Sequence, residues 1–163
     1  MLKLFAPLLI GLLAVLLTSC ASNQDVLLDV VGPAGRTRLA DANEGTLIVY
    51  SAWEGSIDDT EHMHHAPYTI CSDSGGVIKT IRNWNGGILG DPTPCALTEG
   101  IYQIKAHAQG YGTVTVPVRI EAKRATSVYL DDTTASSAGD LDRSDAVTLP
   151  DGRIVGWRAG PVR

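Results

Sequence analysis

YQIKAHAQGYGTVTVPVRI, residues 102–120, is the stretch on which the reading of this chain turns. Tyr102, Ile104 and Ala106 alternate with Gln103, Lys105 and His107. After Gln109-Gly110, Val114, Val116, Val118 and Ile120 alternate with Thr113, Thr115, Pro117 and Arg119. Successive side chains of a strand leave on opposite faces, so a period of two predicts two half-buried strands joined by a turn. Proline has no N–H to give to a ladder, which places the second strand at a sheet edge or gives it a bulge at Pro117.

The same pattern extends in both directions, punctuated by Gly, Pro, Asn and Asp. Downstream, Thr126, Val128 and Leu130 predict a third strand. Upstream, residues 26–31 read as a first strand that stops at Gly32-Pro33-Ala34-Gly35. Residues 46–53 are apolar on both faces and predict a central strand. Residues 68–72 and 77–84 predict a hairpin across Asp73-Ser74-Gly75-Gly76, and 94–97 a short edge piece. No long helical period occurs beyond residue 20. Short strands at this spacing predict an all-β sandwich.

Residues 97–130 resemble the second half of a carboxypeptidase regulatory-like domain. The shared features are Gly100-x-Tyr102-x-Ile104-x-Ala106, then Gly110-Tyr111, alternating valines, and a closing Val128-x-Leu130. The resemblance implies a transthyretin-like (prealbumin-like) Greek-key β-sandwich over residues 26–130, of a kind that is usually a non-catalytic appendage. Beyond it, residues 131–146 are small and acidic and read as a flexible linker. VTLPDGRIVGW, within residues 147–163, predicts a β-hairpin with Pro150 and Asp151 at the turn corners and Gly152 left-handed after them. Such a hairpin either docks on the sandwich or meets a partner, and Trp157 is its natural anchor.

The N-terminus places a positive Lys3 before the uncharged run Leu4–Leu17. As a helix that run spans only about 21 Å, against a bilayer core of roughly 30 Å. Charge, apolar core and small residues follow in the order of a secretory signal. Leu17-Thr18-Ser19-Cys20 resembles the bacterial lipoprotein box, with an ordinary cleaved signal as the alternative. The resemblance implies removal of residues 1–19 and attachment of a diacylglyceryl group, with acyl chains such as palmitate, to Cys20. Residues 20–25 then become a lipidated tether. Ala21 rather than an aspartate at the next position favours the outer membrane, on its periplasmic face or the cell surface. The partner implied first is therefore the lipid bilayer.

Lys3 is the one charged side chain in residues 1–19, so their loss moves the formal net charge from −5 to about −6. An acidic surface without a basic stripe argues against nucleic-acid binding. Of three cysteines, Cys71 and Cys95 remain once Cys20 is used. In an oxidising compartment they predict a disulfide, which in the chain-entropy model adds roughly 3–4 kcal/mol. A redox or metal-bound thiol pair lacks the C-x-x-C spacing.

DDTEHMHH, residues 58–65, collects His62, Met63, His64 and His65 beside Asp58, Asp59 and Glu61. Imidazole suits copper, nickel and zinc, and the thioether suits Cu(I). A solvated loop tip is the competing reading. Trp53, Tyr68 and Trp84 could form an aromatic platform for a glycan, against ordinary packing. SDSGG, residues 72–76, looks like a serine-protease nucleophile segment but has no histidine at a suitable distance before it and fits a tight turn. NWNGGILGD, residues 83–91, lacks the Lys and Ser/Thr ending of a phosphate loop. His107 belongs on the surface. No nucleophile or acid–base pair is arranged by any spacing, so the expected class is a non-enzymatic binding or structural envelope protein with no cofactor. A periplasmic copper-, zinc- or nickel-handling protein is the alternative.

Overall fold

The computed structural model describes residues 26–33, 43–55, 63–85, 90–132 and 143–160. The signal 1–19, the tether 20–25, Cys20, His62 and most of the 131–146 stretch lie outside the described residues. Within them the chain is all-β and contains no helix long and apolar enough to cross a membrane.

Among the described residues twelve strands follow in order: β1 Val31–Gly32, β2 Glu44–Tyr50, β3 Trp53–Glu54, β4 His64–His65, β5 Tyr68–Ser72, β6 Val77–Ile81, β7 Cys95–Thr98, β8 Gly100–Ala108, β9 Gly112–Ile120, β10 Ala125–Tyr129, β11 Ala146–Thr148 and β12 Ile154–Arg158. A 3-10 turn, Arg143–Asp145, leads into β11. The large sheet has seven strands in the order β11-β12-β1-β9-β8-β5-β6. A small sheet has three, β10-β2-β7, and β3 and β4 pair alone.

The opening stretch forms the spine of this arrangement. β8 and β9 pair over their whole length, from Gly100 opposite Ile120 to Ala108 opposite Gly112. Their turn ends on Gly110 and Gly112, both at positive φ, which glycine adopts without a Cβ clash. Ile104, Val116, Val118 and Ile120 point inward and are fully buried against Leu47, Val49 and Val128 of the small sheet. Fully burying a Val or Ile side chain contributes about 1.5–3 kcal/mol, so this face is a large contributor to the stability of the body.

Three sequence expectations need correction. Residues 26–30 form no strand; residues 26–28 border the outward side chains of β8 and β9 without joining the ladder, Leu28 is part of the buried cluster, and only Val31–Gly32 pairs. The 46–53 strand ends at Tyr50. Beyond it Ala52 N donates to His107 O and Ala66 N donates to Ala52 O, which turns the chain towards the β3–β4 pair. β9 is not an edge strand, because β1 lies on its far side. Pro117 is tolerated there because β1 is two residues long and is registered with β9 at Val118 alone.

Two pairings are parallel, β1 with β9 and β2 with β10. The second carries the third predicted strand away from its sequence neighbour β9 and into the small sheet. The C-terminal hairpin docks. β12 pairs with β1 and extends the large sheet, and Trp157 is 8% exposed. Its turn is as read: Gly152 N donates to Leu149 O, with Gly152 at φ 89°. Gly156 permits the close approach of β12, since a Cβ there would meet Val31 Cγ1 at 2.6 Å.

Cys71 and Cys95 stand as free, buried thiols in place of the expected bridge. Ile70 is opposite Ile104 in the core, so the next residue, Cys71, is opposite the outward Gln103. Cys95 belongs to the small sheet and to the core. The two thiols therefore face opposite sides of the large sheet.

Candidate functional site

The β3–β4 pair is held by a buried polar knot at the end of β2. Ser51 Oγ donates to Ala66 O at 2.6 Å, and His65 Nδ1 lies 2.6 Å from Ser51 O. A carbonyl only accepts, so Nδ1 carries the proton. Asn83 Nδ2 donates to Val49 O and to Ser51 Oγ, while Thr93 N donates to Asn83 Oδ1. Serine, histidine and asparagine thus meet, but not as a nucleophile and its base: the imidazole addresses the carbonyl of Ser51, and the hydroxyl is committed to a backbone acceptor.

This knot sets a row of rings. Trp53 stacks on His65 with centroids 4.1 Å apart, and Tyr50 meets His65 edge-on at 5.8 Å. Tyr50 and Tyr129, opposite each other in the parallel β2–β10 ladder, stack at 5.1 Å. Trp157 closes the row edge-on to Tyr129 at 5.8 Å. Tyr50 and Tyr129 lie on the face opposite the core residues Val49 and Val128, so the pair sits on the outer face of the small sheet, half-buried. Burial, and then the neighbouring Tyr129, Asp131 and Asp91, raise the Tyr50 phenol above its ordinary pKa. At neutral pH it is a hydrogen-bond donor beside carboxylates, a combination suited to polar ligands with an apolar face.

The expected aromatic platform is not assembled. Tyr68 is a core residue, 1% exposed. Trp53 pairs with His65 on one face of the β3–β4 ladder, whereas Trp84, 43% exposed, lies against His64 on the other at 5.6 Å. The sequence reading missed Tyr50, Tyr129 and Trp157 as neighbours. Tyr50 and Tyr129 share register through a parallel pairing between strands 75 or more residues apart, and Trp157 arrives on β12; no local pattern announces either.

The metal-ligand set is also divided. His64 and His65 are adjacent in β4 and project to opposite faces; His64 Nε2 is 3.8 Å from Glu54 Oε2, while His65 is locked under Trp53. Among the described residues no group of three or more His, Cys, Asp or Glu is placed to hold a metal ion. Met63 precedes β4, and the Cβ that Gly90 lacks would lie 2.4 Å from Met63 O, so that backbone is closely packed. In the 72–76 turn Ser74 Oγ lies 2.9 Å from Ser72 Oγ, and Gly76 N donates to Ser72 Oγ. That is turn chemistry.

No family model, no curated protein and no solved structure matches this chain.

Proposed function

We propose that this chain is a lipid-anchored protein of the bacterial envelope, placed at the outer membrane by acylation of Cys20, whose transthyretin-like Greek-key body binds an envelope protein or glycan without turning it over. One observation carries the reading: Leu17-Thr18-Ser19-Cys20 ends an uncharged run behind Lys3. The body supports a binding role. Its buried Ser51–His65–Asn83 cluster is spent on internal hydrogen bonds, and its outer face offers the Tyr50–Tyr129 stack with the Asp91 carboxylate in its neighbourhood.

The test is intact-mass and N-terminal analysis of the protein recovered from native membranes. The expected product begins at an acylated Cys20, and Cys20→Ala abolishes both acylation and membrane retention. An uncut leader, or an unmodified thiol at Cys20, overturns the reading. Binding is tested by pull-down from envelope extracts with wild type and Tyr129→Ala; capture that the substitution leaves unchanged removes the aromatic row from the proposal.

A further inference from the structure

A groove of about 240 Å³ runs between residues 26–28 and the outward side chains Gln103, Lys105, Thr115 and Pro117 of β8 and β9. We infer that this groove seats an acyl chain carried on Cys20, an inference that rests on the lipid anchor proposed above.

Three observations lead there. The first is the length of chain. Val26 is the first described residue and forms one wall of the groove. Six residue steps separate it from Cys20, a reach of at most about 22 Å. An anchor at Cys20 therefore cannot hold the groove far from lipid.

The second is the chemistry of the walls. Val26 and Leu28 supply one side, and Pro117 and Thr115 the other. Lys105 and Gln103 complete the lining, and the Gln103 amide is spent on Asp73 O at 2.9 Å, which leaves its stem along the groove.

The third is Leu27. It is 99% exposed, between a half-buried Val26 and a buried Leu28, on the segment that leads from the tether. A leucine held fully in water next to an apolar groove fits a surface that meets hydrocarbon. The volume admits part of a fatty chain, with the remaining acyl groups left in the bilayer.

The acylated native protein is placed in nanodiscs of perdeuterated phosphatidylethanolamine and phosphatidylglycerol, and isotope-filtered NOEs are recorded from protonated acyl methylenes to the methyls of Val26, Leu28 and Thr115. Cross-peaks are expected, because the only protonated chains are those on the protein. Thr115→Glu puts a carboxylate in the groove at an outward strand position and is expected to abolish them while amide dispersion is kept. Acylated protein without cross-peaks overturns the inference and leaves the anchor standing. Cross-peaks that need protonated bilayer lipid, or that survive in a folded Thr115→Glu protein, also overturn it. An unacylated Cys20 in the starting mass spectrum instead defeats the anchor itself.

Discussion

Tyr68→Phe should stabilise this protein. Tyr68 is 1% exposed, opposite Ile81 on β5, and packs within the common core. Its hydroxyl finds no hydrogen-bond partner among the described residues. Burial, with a smaller contribution from Cys95, pushes the phenol far above its ordinary pKa, so the group is a neutral hydroxyl at neutral pH. In the unfolded chain that hydroxyl is hydrated. Folding strips the water and returns nothing, at a cost of about 1–3 kcal/mol. Phenylalanine keeps the ring and its contacts and removes the stripped group. The gain should be about 1–2 kcal/mol, worth roughly 3–6 °C in Tm for a domain of this size. Urea unfolding followed by circular dichroism measures it, and an unchanged m value shows that the unfolded ensemble is the same. A loss of more than about 0.5 kcal/mol would show that the hydroxyl has a partner and that its desolvation is compensated.

Cys71 and Cys95 should both be unreactive to an aromatic disulfide reagent in the native state, and both should titrate as free thiols after unfolding; a mass two hydrogens lower, or no thiols in denaturant, refutes the strand facing that separates them. Lys79 shares the inward face of edge strand β6 with Ile81 and sits beside the exposed Val77 and Ile78. An inward charge is a guard against edge pairing, so Lys79→Val should promote self-association visible by light scattering, and a strictly monomeric variant contradicts this. Arg153 donates to Asp151, Asp132 and the Gln109 carbonyl, clasping the C-terminal hairpin to the β8–β9 turn. Arg153→Ala should lower stability by about 1 kcal/mol, less in high salt. Asp151 has its pKa lowered first by the Arg153 hydrogen bond. Its small contribution is therefore complete above the ordinary aspartate range and is lost as pH falls through the depressed value; a pH–stability profile that Arg153→Ala leaves unchanged through that range refutes the pairing.

The strands of this fold were legible wherever local pattern decides them. Period two located β5, β6, β8, β9 and β10, and Pro150-Asp151-Gly152 announced the last turn. Side-chain facing was legible too. Alternation alone sends Cys71 to the side opposite Ile70, and His65 opposite His64. Pairing was not legible, because it depends on which distant strands share a ladder. β10 leaves β9 to run parallel with β2, and β12 returns across more than a hundred residues to β1. The aromatic row depends on both events. The platform read from Trp53, Tyr68 and Trp84 failed for a related reason: burial of Tyr68 follows from its place between sheets, and the β3–β4 ladder puts the two tryptophans on opposite faces.

The two surfaces assigned roles here lie on opposite sides of the body. Gln103, Lys105 and Thr115 leave the large sheet away from the core, while Tyr50 and Tyr129 leave the small sheet away from the same core. With sheets packed face to face about 10 Å apart, a groove turned to the lipid directs the tyrosine stack away from the membrane, where an envelope partner can reach it. The two proposed roles should therefore separate by mutation. Tyr129→Ala should reduce partner capture and leave the acyl-chain cross-peaks intact, and Thr115→Glu should do the reverse. Coupled losses in both variants, with folding preserved, would mean that one surface serves both roles and that this orientation is wrong.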